Sequence, residues 1–358
     1  MRFFIVTQTF PPAKGGMEAT MYALAQHLTA KQHAVSVLPN KPYENPEAFA
    51  VVNRRYPKFL RATMKRRWLA RQVRADDVVI CDSWKSVAAV PKTASRIVVM
   101  AHGQEYLKTG GRAVDVQNAL DRATHLVASS DFTLGLVCQG WQTQHLAKST
   151  ISPTYMLPDL AATPNAAAQN GGQCLEIISL CRLEARKGLK QTMTALAHLE
   201  PSDGGWHWSI CGAGPQEGEL KQLSRELGLD DKISFLGRVD DDEKDRLLAA
   251  ADLFVMPSYQ DGGSLEGFGI SYIEAARAGL ACVAGRSGGA AEAVIDGTTG
   301  WSVDAQNQSQ LRAVLKEAMG NPAERAKRGK AAQDMFQQKM AGHIVFGKFL
   351  DHISAPHP

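Results

Sequence analysis

The chain reads as an α/β protein of two Rossmann-like, doubly wound parallel-sheet domains facing a central cleft, and three observations point there. Short apolar runs alternate with helical stretches from end to end, glycines recur where the runs stop, and one stretch without apolar period divides the series in two. A length of 358 residues agrees, because single cores stop growing near about 250 to 300 residues.

In the first series, residues 3–7, 34–38, 78–81, 97–101 and 125–128 read as strands. They are apolar throughout rather than alternating, as strands covered on both faces are. A helix over 19–30 follows the first of them. Residues 161–172 are small and flexible and predict a linker. The second series places strands at 175–180, 208–211, 233–236, 253–256 and 281–284, with helices over 243–251 and 270–278. The segment from about 322 to 350 has helical composition after the final strand signal and is expected to pack back across both domains. This predicts a domain over 1–160, joined by a C-terminal helix at about 340–358, and a second domain over 173–339. Sheets of this kind bind ligands outside the carboxyl ends of their strands.

Composition sets limits on class. Hydrophobic residues make up 44% and charged residues 21%, and no apolar run approaches the roughly 20 residues of a membrane span. Residues 1–7 are too short an apolar run, and too soon followed by Pro11, Pro12 and Lys14, for a secretion signal. The six cysteines show no Cys-x-x-Cys spacing, so reduced thiols in a cytosolic protein without a zinc site are expected. Net charge is +4, yet nine Lys or Arg and no acid lie between Glu47 and Asp76. Lys65, Arg66, Arg67, Trp68 and Arg71 mix cations with apolar bulk there, which suits an anionic membrane surface or an acceptor attached to one better than nucleic acid. A solvated charged helix with a narrow stripe of Leu60, Met64 and Trp68 is the plainer alternative.

The most informative stretch runs from Glu266 to Glu274 and opens on Gly267-Phe268-Gly269. The helix that follows offers unpaired amides at Gly269 and Ile270 and the positive end of its dipole to an anion. Glu266, before the helix, and Glu274, one turn inside it, can hold sugar hydroxyls and a ribose; a capping acid and a solvated glutamate would fit the same residues. Gly15-Gly16 stands between the first strand and its helix, placed for close approach of a phosphate. Gly212-Ala213-Gly214 departs from a dinucleotide fingerprint because Glu217 fills the third position, which argues against NAD. Arg182 and Lys187, at a strand end, could clamp a diphosphate without a metal, unless they are surface partners of Glu184. Asp240-Asp241-Asp242 resembles a metal pair but precedes a helix that such acids would cap. His102-Gly103 emerges at the ligand-facing end of the strand over 97–101.

Together these elements resemble the retaining glycosyltransferases of family four, with the GT-B fold, over almost the whole chain. The motifs that carry the resemblance are Glu266 with Glu274, Arg182 with Lys187-Gly188, Gly15-Gly16, His102-Gly103-Gln104-Glu105, the run from Ala251 through Pro257-Ser258, and Gly288-Gly289 with Glu292. The resemblance implies that Gly16 meets the donor phosphate and that Arg182 and Lys187 hold the diphosphate, helped by amides at Gly269 and Ile270. Glu266 would hold the transferred sugar, Glu274 the ribose and His102 the reaction centre, with Arg238-Val239 near the base. It implies a UDP- or GDP-sugar as co-substrate and no metal or other cofactor. Two departures stand out: Leu157-Pro158-Asp159-Leu160 in place of Asn-Gly-Val-Asp, and Cys181 in place of a glycine. The expected reaction is retaining transfer to a lipid-linked glycan, glycolipid or lipopolysaccharide core, by a cytoplasmic protein peripheral on the inner membrane face. A soluble small-molecule acceptor, a nucleotide-sugar epimerase of the same fold and a non-enzymatic lipid-binding scaffold are the alternatives.

Overall fold

The computed structural model describes residues 1–13, 15–44, 49–107, 110–154, 174–199 and 205–354. The linker expected at 161–172 and the departure at Leu157 to Leu160 lie outside these residues. Two compact units emerge, Met1–Leu157 with Met340–Pro358, and Pro158–Lys339.

Unit 1 runs β1 (Arg2–Val6), α1 (Gly16–Ala30), β2 (Ala34–Leu38), β3 (Ala50–Val51), α2 (Arg61–Gln72), β4 (Val78–Cys81), β5 (Arg96–Ala101), α3 (Gln104–Leu107), α4 (Ala113–Asp121), β6 (His125–Ala128), α5 (Asp131–Gly140) and β7 (Ala147–Thr150). The strands form one parallel sheet in the order β3-β2-β1-β4-β5-β6-β7. Successive side chains of a strand face opposite ways, and the packing follows that period. Phe4, Val6, Val79, Val99 and Leu126 bury against Leu69 of α2, Leu120 of α4 and Val137 of α5. Phe3, Ile5, Ile80, Val98 and Val127 bury on the other face against Leu24 and Leu28 of α1, and against Phe346 and Phe349 of the C-terminal helix Gly342–Ser354. Truncating one such side chain to alanine costs about 2–5 kcal/mol.

Unit 2 runs β8 (Leu175–Leu180), α6 (Leu189–Ala197), β9 (Trp206–Cys211), α7 (Glu217–Glu226), β10 (Ile233–Gly237), α8 (Asp241–Ala250), β11 (Leu253–Met256), α9 (Ile270–Arg277), β12 (Cys282–Gly285), α10 (Ala290–Ala293), β13 (Gly300–Val303), α11 (Gln308–Gly320) and α12 (Pro322–Met335). Its parallel sheet has the order β10-β9-β8-β11-β12-β13. Trp208, Val255 and Trp301 pack toward α6, α7 and α11, while Phe254 meets Tyr272 of α9 with ring centroids 5.8 Å apart. In both sheets the strand order reverses beside the first strand of the unit, between β1 and β4 and between β8 and β11. These are the places where loops diverge and a ligand can enter.

At the start of α8 the aspartates act as caps: Asp240 accepts a hydrogen bond from the Glu243 amide at 2.9 Å, and Asp241 takes one from Lys244. In α2 the expected surface stripe is corrected. Lys65 and Leu69 turn inward, and Lys65 is only 3% exposed. Its ammonium donates to Thr7 O at 3.1 Å, Leu38 O at 2.7 Å and Asn40 Oδ1 at 2.9 Å, satisfying carbonyls at the ends of β1 and β2. Burial pushes it down to about 8, against a partial lift from Asp82. Trp68 lies half-buried on Phe4, with ring centroids 6.2 Å apart. Lys65 is therefore no surface contact and Trp68 is at most a partial one. Arg66, Arg67 and Arg71 are exposed, with Phe59, Leu60 and Met64 nearby in sequence.

Candidate active site

In unit 2 the loops after β8 and β11 meet at the strand-order reversal. After β8 the single 3-10 turn Ala185–Lys187 ends on Gly188, and it carries two cations inward side by side. Arg186 Nη1 donates to Glu266 Oε2 at 2.8 Å, and Lys187 Nζ donates to the same oxygen. All three side chains are nearly buried. Burial alone would push the Glu266 carboxyl up; the Lys187 ammonium and Arg186 guanidinium more than offset it and hold the group below the usual carboxylate range. Arg186 also pairs with Glu184 at 3.0 Å. The expected Arg182–Lys187 pair is not what the structure assembles. Arg182 extends outward, 76% exposed, and bridges Glu184 at 3.0 Å, while Arg186, which the sequence reading missed, stands beside Lys187.

Gly269 opens α9 at φ 96°, and the first turn there has no side-chain cap. A Cβ on Gly269 would stand 2.5 Å from the Tyr272 ring, so the turn needs glycine. Gly288, at φ 72°, fixes the other side of Glu266. A Cβ there would fall 2.2 Å from the Glu266 carbonyl, which accepts from the Gly289 amide at 2.9 Å. One turn into α9, Glu274 is 7% exposed and its Oε1 lies 2.8 Å from Lys244 Nζ. Arg238 is exposed and Val239 half-buried just past β10. Buried carboxylates and cations at strand ends, next to an uncapped helix start, form a site in which an entering anion can take over cations now held by glutamates.

In unit 1, Gly15 and Gly16 begin α1, with the Glu18 carboxylate lying over Gly15. His102 follows β5. Its Nε2 lies 2.9 Å from the Asp82 carbonyl, which can only accept, so Nε2 carries the proton of that bond. Its own amide donates to Glu105 Oε1 at 2.6 Å. Asp82, directly after β4, is completely buried and accepts from Thr7 Oγ1 at 2.8 Å, Gln8 N at 2.6 Å and Ser86 Oγ at 2.5 Å. An acid directly after an apolar run was a signal available in the sequence, as it was for His102. Lys244 had no such signal, since its partnership with Glu274 joins residues on different helices.

The six cysteines are all free, and burial pushes the thiols of Cys181 and Cys211 up to about 11 and about 12, so both stay neutral.

The pattern that defines Glycosyltransferase Family 4 matches residues 14–147, and that of Glycosyl transferases group 1 matches residues 169–335. The chain is 28% identical over 363 residues to the GDP-mannose-dependent alpha-(1-6)-phosphatidylinositol monomannoside mannosyltransferase of Mycolicibacterium smegmatis, covering 92% of each. Among solved structures it is similar to HepE of Anabaena in complex with UDP, at a TM-score of 0.80 and 19% identity over 99% of this chain and 100% of that one. WaaG, a glycosyltransferase involved in lipopolysaccharide biosynthesis, superposes at a TM-score of 0.73 with 21% identity over 99% and 100%. Two parallel-sheet units with this strand order are the GT-B fold that these solved structures share with the chain. The chain belongs to glycosyltransferase family four.

Proposed function

We propose that the protein moves a sugar from a nucleotide-diphosphate donor, a UDP- or GDP-sugar, to a lipid-linked glycan, glycolipid or lipopolysaccharide core, with retained configuration and without a metal. The observation that carries this reading is the convergence of Arg186 and Lys187 on Glu266 beside the glycine-opened start of α9. In this reading the diphosphate takes over the two cations and the α9 amides, and Glu266 is released to hold hydroxyls of the transferred sugar. Arg182 is tethered only by an exposed bridge, worth about 0–1 kcal/mol, and swings onto the phosphates at little cost. Glu274 takes the ribose and Arg238-Val239 lie toward the base. Gly16 and His102 serve the phosphate and the reaction centre from unit 1.

The chemistry then needs no protein nucleophile. The acceptor oxygen bonds to the anomeric carbon on the face from which the diphosphate departs, the carbon–phosphate oxygen bond breaks, and the acceptor proton passes to the leaving phosphate. Fixed cations stabilise the charge that gathers there.

For the acceptor, support comes from the exposed Arg66, Arg67 and Arg71 with exposed Phe59, Leu60 and Met64 nearby in sequence, and from a relative named for a phosphatidylinositol substrate. No described helix is long and apolar enough to cross a membrane, so attachment would be peripheral.

The test is to incubate the protein with UDP- and GDP-sugars and extracted lipids, in EDTA, and to read products by mass spectrometry and anomeric configuration by NMR. An α-linked donor giving a β-linked product, activity lost in EDTA, or epimerised donor without transfer would each overturn the corresponding part. Replacing Arg66, Arg67 and Arg71 together by alanine should weaken co-sedimentation with anionic vesicles by about 10- to 100-fold at low salt, each arginine contributing about 1 kcal/mol. Equal sedimentation of both proteins would remove the membrane.

A further inference from the structure

We infer that Lys244 is a positioning residue for the donor: it fixes the Glu274 carboxylate in the orientation that reads the ribose hydroxyls. This rests on the reading of Glu274 as the ribose ligand.

Glu274 is an almost buried carboxylate, and burying such a group is costly unless a cation stands beside it. Lys244 supplies it, with Nζ 2.8 Å from Glu274 Oε1 and 2.8 Å from Asp241 Oδ1. Burial would push the ammonium down, but Glu274 foremost, then Asp241, raises it above its usual value, so it stays charged. The two acids grip it from opposite ends: Asp241 is 94% exposed, Glu274 10%, and the lysine 15%. One anchored carboxylate oxygen sets the plane of the group and thereby aims the other at a fixed point. A vicinal diol, whose two hydroxyls must be met at set angles, is the kind of ligand that gains from this.

A second ion pair, Arg277 with Asp245, joins the same two helices one residue further along α8 and three further along α9. It ties α8 to α9 through residues other than Lys244 and Glu274, and so separates packing from positioning.

The experiment measures calorimetric affinities for UDP and GDP and for their 2′,3′-dideoxy counterparts, in wild type, Lys244→Gln, Lys244→Arg and Asp245→Asn, with folding checked by circular dichroism. Lys244→Met, which keeps the buried stem, replaces the glutamine variant should that fail to fold. Wild type is expected to prefer the ribonucleotide about 10-fold or more, the glutamine or methionine variant less than about threefold, and the arginine and asparagine variants as wild type. A neutral variant that still discriminates like wild type overturns the inference and leaves the ribose reading standing. Loss of discrimination in Asp245→Asn as well would also overturn it, because helix packing would then be the cause. Wild type that does not discriminate overturns the ribose reading itself.

Discussion

The two units share a sheet topology, but two buried charges at the carboxyl ends of the unit 1 strands and three buried pairs of unit 2 are satisfied in opposite ways. In unit 1, Lys65 bonds only to neutral oxygens and Asp82 is ringed by hydroxyls and an amide. In unit 2, Glu266 faces Arg186 and Lys187, Glu274 faces Lys244, and Asp245 faces Arg277. Those neutral partners are backbone groups and short side chains at strand ends, so these unit 1 charges hold loops in place. Charged partners can be traded for a ligand of like sign, and the proposed role of the unit 2 pairs rests on that exchange.

The sharpest way to break this contrast is Lys187→Ala. If the cation is there for exchange, turnover should fall by about 100- to 1,000-fold in a protein that circular dichroism still shows folded. Unfolding instead, or unchanged turnover, would erase the distinction. The counterpart in unit 1 is Asp82→Ala, which leaves Gln8 N and Ser86 Oγ without their acceptor, while Thr7 Oγ1 keeps the Thr9 carbonyl. It should cost about 2–4 kcal/mol of stability in urea, whatever nucleotide is present. A midpoint equal to wild type would mean that the network carries no load.

The smallest effect is a matter of pH. Lys65 binds its proton less tightly in the fold than in the unfolded chain, at about 8 against the ordinary ammonium value. Between those two values the unfolded state holds more protons, so stability should rise as pH rises through that window, by about 2–3 kcal/mol at most. Urea melts at pH 8 and pH 10 should show the gain in wild type and not in Lys65→Met.

Much of this was legible in the sequence, for reasons that also explain the gaps. Strands such as Val78–Cys81 and Leu253–Met256 announce themselves because burial on both faces demands unbroken apolar runs. Ala50–Val51, Ala147–Thr150 and Gly300–Val303 were missed: each has four residues or fewer and each closes a sheet edge. Glu266, Glu274 and Lys187 stand out in the sequence because glycine turns mark strand and helix ends. Arg182 was preferred to Arg186 because spacing along a chain does not show which of two nearby arginines a 3-10 turn directs inward. Lys65 was misplaced because its acceptors, Thr7, Leu38 and Asn40, come together only when β1 and β2 lie side by side.

That lysine has a mechanical consequence. Its head is clasped by the carbonyl at which β1 gives way to the segment leading to Gly15 and Gly16, and its stem is rooted in the helix whose outer side carries Arg66, Arg67 and Arg71. One four-carbon side chain thus rivets α2 to the carboxyl ends of β1 and β2.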